Sequence, residues 1–152
     1  DFDISEMARL ILISFEAKID ETTLDKDFDA PHALMAYSDK DAVYLVLYNI
    51  CDNGIKFSRE GGKFRIAIKD DSENVAVSVY NEGVGISEED LPYVFDRFYK
   101  SDKSRGLDKT GVGLGLYICK TIIESLGGKI FVKSEYGKYC EFTIILEKGG
   151  KS

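Results

Sequence analysis

Two neighbouring stretches restrict the fold more than any others. KFRIAIK at 63–69 sets Phe64, Ile66 and Ile68 against Arg65 and Lys69, and VAVSVY at 75–80 sets Val75, Val77 and Val79 on one side. Such alternation is the period of a strand with one dry and one wet face. A sheet of such strands needs cover on one face only. The DDSEN stretch between them reads as a hairpin loop. Apolar stripes at helical spacing elsewhere supply the cover. The expected architecture is therefore an α/β two-layer sandwich, a mixed sheet covered on one face by about three helices.

The remaining segments fit this frame. Ser5 is expected to cap a first helix carrying Met7, Leu10, Ile11, Ser14 and Phe15. TTLDKD and ALMAY read as short strands, split by a turn at Pro31. Asp39 is expected to cap a helix over 40–57, with Val43, Val46, Leu47, Ile50 and Phe57 inward. Ser87 and Asp90 open a short helix towards Phe95. A last helix over 113–126 lines up Leu114, Ile118, Ile122 and Leu126, and Gly127-Gly128 ends it. KIFVKS and CEFTIILE close the sheet as two strands.

A length of 152 residues, 44% hydrophobic, suits one domain with a core that needs no staples. Cys51, Cys119 and Cys140 form no CxxC pair and read as buried reduced thiols in a cytoplasmic protein. The longest apolar runs, such as LILISF, are too short to cross a bilayer, and no signal-peptide pattern opens the chain. The net charge of −7 argues against a general nucleic-acid binder. An anionic ligand needs a local basic patch.

Four motifs carry chemistry. In TGVGLGLYICKTII, 110–123, three glycines run into a helix; bare backbone and a helix N-terminus can cradle an anion. Taken alone, these glycines are as well explained by tight packing. A dinucleotide fingerprint fails because a charged loop, not a strand, precedes Gly111, and a P-loop fails because GK[ST] is missing. In YNICDNGIKFS, 48–58, Asn49, Asn53 and Lys56 share one helix face. Amide oxygen can take one site on Mg²⁺ and an ammonium can meet phosphate oxygens, although a solvated face has the same look. Asp52 reads as a plain solvated residue. In VYNEGVGIS, 79–87, Asn81 ends a strand before two glycines, where it can read the edge of a flat ligand or simply favour a turn. In LPYVFDRFYKSDKSRGLDKTG, 91–111, Phe95 and Phe98 anchor a long segment. Residues 97–109 hold five cations against two carboxylates, a local balance of +3. A loop of that length and charge reads as a lid, or as a solvated flexible loop.

In this order, the four motifs resemble the catalytic, ATP-binding domain of sensor histidine kinases, in the superfamily shared with gyrase and a heat-shock chaperone. NICDNGIKFS is similar to the N box, NEGVGIS to the first glycine box, VFDRFYK to the F box and GVGLGL to the second glycine box. The likeness runs from Asp39 almost to the end, and residues 1–38 fit the family's opening helix and strands. It implies the Bergerat-type ATP-binding fold, with ATP and Mg²⁺ as ligands. By position, Asn53 matches the amide that ligates Mg²⁺, Asn49 the amide one turn earlier, and Lys56 the phosphate-facing lysine. Asn81 stands where the family usually has the aspartate that accepts from the adenine amino group, over a turn made by Gly83 and Gly85. Lys100 stands where a lid arginine often meets the terminal phosphate. Gly111, Gly113 and Gly115 close over the triphosphate. The same boxes bring Ile86, Phe98, Arg105, Val112, Leu114 and Leu116 into the expected nucleotide site.

Two departures stand out. Asn81 replaces Asp, which is expected to weaken the hold on adenine by about tenfold and to relax discrimination against guanine. Val112 replaces the common Thr, which bears on lid ordering. Asn49 stands where the ATPase branches usually carry a glutamate general base, and an amide cannot take that proton. The expected reaction is therefore transfer of the γ-phosphate to a histidine on a separate dimerisation domain, with a response regulator downstream. The sole histidine, His32, has no phosphoacceptor pattern after it and is expected to be structural, in a strand. The expectation for 1–152 is a single catalytic domain, monomeric, without the phosphoacceptor and sensor domains and without membrane contact. Its stimulus and its regulator are not legible. The alternatives are a non-catalytic nucleotide sensor or scaffold, and a serine kinase or ATPase of the same superfamily.

Overall fold

The structure, a computed structural model, describes residues 1–96 and 112–149; the side chains of residues 112–114 lie outside that description. Seven strands form one sheet: β1 (Phe2–Asp3), β2 (Asp25–Asp29), β3 (Met35–Tyr37), β4 (Lys63–Asp70), β5 (Asn74–Glu82), β6 (Lys129–Glu135) and β7 (Tyr139–Lys148). Its order is β1-β3-β7-β5-β4-β2, with β6 also paired to β7. β6 and β3 share one flank of β7, end to end, since β6 pairs with 139–145 and β3 with 147–148. The β2–β4 pair is parallel and the others are antiparallel, so the sheet is mixed. Edge strand β2 carries Asp25, Lys26, Asp27 and Asp29, charges that discourage further pairing.

Alternation divides the two faces as expected. Phe64, Ile66, Ile68, Val75, Val77 and Val79 are buried under the helices, with Phe142, Ile144 and Leu146 of β7. The other face is wet; there Tyr80 stacks on Tyr139 at 5.5 Å and the Arg65 guanidinium lies 4.9 Å from the Tyr80 ring. The helical layer holds α1 (Ile4–Ser14), α3 (Lys40–Lys56) and α4 (Val112–Ser125), with a short α2 (Glu16–Glu21) after α1. α3 lies between α1 and α4.

Several local expectations are corrected. Asp3, not Ser5, caps α1: its Oδ1 accepts from Glu6 N at 3.1 Å, while Ser5 is fully buried. The inward stripe of α1 is Ile4, Met7, Ala8 and Ile11; Leu10 is 54% exposed and Ser14 faces out. The strand read in TTLDKD starts only at Asp25, because Thr22 and Thr23 form a turn, Thr23 at φ 51°. ALMAY pairs only over Met35–Tyr37, and His32 lies in an exposed bend before it, not in a strand. Phe57 is the C-cap of α3; Cys51, Gly54 and Ile55 complete that helix's buried side. The helix expected after Ser87 is one 3-10 turn, Leu91–Tyr93, with Asp90 N donating to Ser87 Oγ at 3.3 Å.

On α4 the buried line is Leu116, Cys119 and Ile123, whereas Ile118 is 42% exposed and Ile122 and Leu126 are half-buried. Gly127 at φ 81° and Gly128 N donating to Ile123 O at 2.9 Å end the helix as expected. Asp39 caps α3 as expected, its Oδ1 accepting from Ala42 N at 3.1 Å.

One joint positions everything that follows. The C-terminal end of α3 is clamped to the end of β5. A bridge pairs Ser58 with Gly83, and Arg59 N donates to Glu82 O at 2.9 Å. A Cβ on Gly83 would sit 2.1 Å from Phe57 O, so the two backbones touch only because no side chain intervenes. Upstream, a Cβ on Gly54 would meet Phe64 Cε1 at 2.9 Å, so α3 lies close on the sheet. The Glu82 carboxylate accepts from Lys63 N at 2.9 Å and pairs with Arg59 at 3.2 Å. The Lys63 N–H, chiefly, holds its pKa below the ordinary carboxylate value.

Three outcomes follow. All three cysteines are buried, and burial pushes the Cys119 and Cys140 thiols up to about 12 and Cys51 higher still. Iodoacetamide at neutral pH should therefore label none of them in the folded chain and all of them in denaturant, read by mass spectrometry. Gly83→Ala should lower stability by at least about 2 kcal/mol in urea unfolding, since the clashing atom is backbone. Glu82 has a depressed folded pKa, so its contribution is present above the unfolded value and lost as pH falls through the folded one. Glu82→Gln should destabilise the chain at neutral pH, and the difference should shrink as the pH falls through the folded-state pKa of Glu82, read by urea unfolding across an acid pH series.

Candidate functional site

The joint brings two of the sequence motifs together at one end of the sheet. On α3, Asn49 and Asn53 are half-buried and Lys56 is exposed. Asn49 spends one amide N–H on its own helix, donating to Leu45 O at 2.8 Å, which leaves its oxygen to accept. Asp52 is more than a solvated residue. Its two oxygens lie 3.5 Å from Lys18 Nζ and 3.7 Å from Lys56 Nζ, tying α2 to the last turn of α3. Ser58 Oγ donates to Gly54 O at 2.6 Å and helps close that turn.

Asn81 is the penultimate residue of β5 and points to the helical side, in register with Phe64 on β4 and Cys140 on β7. It is only 5% exposed, and its Nδ2 has no hydrogen-bond partner among the described residues. A buried donor left unpaired costs about 1–3 kcal/mol, so it marks a place where a ligand can repay the loss. The turn after it is built to be narrow. Gly85 has φ 69°, and a Cβ there would meet Glu135 O at 2.6 Å and Tyr139 O at 2.9 Å. The turn is laced to the β6–β7 hairpin. Ile86 N donates to Ser134 Oγ at 2.7 Å, Gly83 N to Lys138 O at 3.1 Å and Gly137 N to Val84 O at 2.6 Å. Ile86 itself packs half-buried against the core.

α4 comes alongside through α3: Cys119 Sγ lies 4.0 Å from Val46 O and Leu116 is in the core. At Gly115 a Cβ would meet nothing within 4 Å among the described residues. Tight packing against the described residues, one reading of the glycine run, therefore does not account for Gly115. Gly111, and Phe98, Lys100 and Arg105 with the basic stretch around them, lie outside the described residues, as do the side chains of Val112 and Leu114; Gly113 is placed only as a residue of the first turn of α4. Phe95 anchors as expected, edge-on to Phe142 at 5.9 Å, with Lys120 Nζ 5.3 Å from its ring.

Three residues that position this site were not singled out from the sequence, Gly54, Glu82 and Ser134, and Asp52 was read only as a solvated residue. Gly54 had a signal, because glycine inside a helix costs about 1 kcal/mol and wants a packing reason. Glu82 and Ser134 act through partners 19 and 48 residues away, and no local pattern reports them. A separate groove of about 280 Å³ between α1 and α3, lined by Met7, Leu10, Lys40 and Tyr44 among others, contains none of the expected site residues.

No group of three or more His, Cys, Asp or Glu side chains able to hold a metal occurs among the described residues. A divalent cation could use the amide oxygens here only while carried on a phosphate that fills most of its coordination sphere. No helix among the described residues is long and apolar enough to cross a membrane.

Comparison with known proteins converges on one family. Residues 38–150 match the family described as histidine kinase-, DNA gyrase B-, and HSP90-like ATPase. Sensor protein SrrB of Staphylococcus aureus is 38% identical over 136 residues, which is 90% of this chain and 23% of that protein. The chain thus spans about a quarter of the curated relatives it matches. The nucleotide-free catalytic domain of histidine kinase ThkA superimposes with a TM-score of 0.84 at 32% identity, covering 97% of this chain and 95% of that one. The histidine kinase AdeS of Acinetobacter baumannii superimposes with a TM-score of 0.76 at 28% identity, covering 98% and 66%. With two of its motifs joined at one end of a sheet of this topology, the chain belongs to the histidine kinase-, gyrase B- and HSP90-like ATPase family, as a catalytic domain of the sensor histidine kinase type.

Proposed function

We propose that the chain, as a single catalytic domain, binds Mg-ATP between α3, the Asn81–Ile86 turn and the start of α4. It then donates the γ-phosphate to a histidine on a separate dimerisation domain of a two-component sensor. The observation that carries this reading is the buried Asn81 amide, whose Nδ2 has no partner among the described residues, at the start of the tight turn made by Gly83 and Gly85. ATP supplies the phosphoryl group, and its Mg²⁺ neutralises charge on the phosphate chain. Asn53 offers an amide oxygen to that cation and Asn49 a second one a turn away. Lys56 supplies positive charge for the phosphate oxygens and is steadied by Asp52. The bare backbone of Gly113 and Gly115 at the head of α4 lets N–H groups approach an anion.

The amides also decide what the site does not do. Water attack on ATP needs a base, and Asn49 cannot accept the proton. Phosphate is therefore held for an external acceptor. His32 sits in an exposed bend whose carbonyl accepts from Arg9 at 3.1 Å, remote in sequence from every motif. It is not the acceptor. ThkA has been crystallised with the response regulator protein TrrA, which supports a regulator as the downstream partner here.

Incubation with Mg-ATP and a histidine-bearing dimerisation domain should give acid-labile, alkali-stable phosphate on that domain and none on this chain. Nucleotide binding without transfer would contradict the kinase reading and favour a nucleotide-sensing scaffold. Asn53→Ala should weaken Mg-ATP binding at least about tenfold in calorimetry while leaving binding of ATP in EDTA within about twofold. Equal loss in both conditions would remove the cation from its role.

A further inference from the structure

We propose that Asn81 admits 6-oxopurine nucleotides as well as adenine nucleotides, its amide turning over to match the base. This deepens the nucleotide reading above and rests on it. Asn81 is buried, its side chain faces the helical layer, and its cross-strand neighbours are Phe64 and Cys140. The first is hydrocarbon, and the second is a protonated thiol, burial pushing its pKa up to about 12. Neither cross-strand neighbour carries a charge that would bias the amide's orientation, and no hydrogen bond from Nδ2 to a described residue fixes it.

An amide carries a donor and an acceptor on one flat group, whereas an ionised carboxylate only accepts. The adenine edge offers an amino donor beside the N1 acceptor. Asn81 can meet it with Oδ1 on the amino group and Nδ2 on N1. A 6-oxopurine reverses the pattern, with O6 accepting and N1–H donating. Half a turn about the last side-chain torsion, which is broad and two-fold, reverses the amide to match. Either pairing satisfies the buried Nδ2. A carboxylate would face O6 with like charge and no proton to share. Pinning by the protein makes a side-chain amide selective, and no described residue pins Nδ2 here.

Calorimetric titration of the wild-type chain with Mg-ADP and Mg-IDP tests this directly. Inosine carries the 6-oxo edge without a 2-amino group, so bulk at C2 does not mask the result. The IDP dissociation constant should lie within about thirtyfold of that for ADP, and a wider gap would overturn the inference. Asn81→Asp should open the gap to at least about a hundredfold, chiefly by loss of IDP. An unchanged ratio in that variant, with a melting temperature showing it folded, would also overturn it. If the variant does not fold, the wild-type ratio still decides. Binding of ADP with rejection of IDP defeats this inference alone; binding of neither defeats the nucleotide reading as well.

Discussion

The contact on which the rest depends is the backbone touch between Phe57 and Gly83. It joins the last turn of α3 to the end of β5 with no side chain between them. Every motif residue the structure describes is placed relative to that joint. Gly54 lowers α3 onto Phe64 just before it, and Glu82 ties the turn after α3 to the start of β4. Gly85, Ile86 and Ser134 then lash the turn to the β6–β7 hairpin. The rigidity lies in the walls of the site, and the groups that would meet a ligand stand on those walls.

The proposed nucleotide site lies in a chain of net charge −7, and its walls carry little charge of their own. The described polar groups are mostly neutral amides and bare backbone, with Lys56 adding charge at the rim. Neutral donors and acceptors escape the cost of burying an unpaired ion. They also do not repel phosphate, as a carboxylate would. The same neutrality withholds a general base at Asn49, which fits the proposed transfer to an outside histidine and does not fit hydrolysis. In the proposed site it also leaves Asn81, whose Nδ2 no described residue engages, able to present either end of its amide.

Much of the frame was legible because alternation and caps are local. The two strands around the 71–73 loop, the Asp39 cap and the Gly127-Gly128 stop were all readable from neighbours in the chain. Where the reading slipped, the deciding partner was distant. Ser5 has the side chain of a cap, but Asp3 also accepts from Leu34 N at 3.2 Å, and that contact fixes the helix start two residues earlier. α4 is apolar on more than one side, so its period could not choose between the Ile118 line and the Cys119 line; contact with Val46 on α3 chose. Asn81, Gly83 and Gly85 were found by type and order, yet their burial and the narrowness of the turn come from β7 and the hairpin. The basic stretch after Phe95 was prominent in sequence, and its residues from Arg97 to Gly111 lie outside the described structure.

The central claim is one of place: a nucleotide sits where the end of α3, the Asn81–Ile86 turn and the head of α4 converge. Backbone amide chemical shifts of the labelled chain, followed by NMR through a titration with Mg-ADP, test it most directly. The account predicts that the largest saturable changes fall at 49–56, 81–86 and 113–116, with little change at the Leu10–Tyr44 groove or on the wet face of the sheet. Changes centred on that groove, or none at millimolar nucleotide, would contradict it.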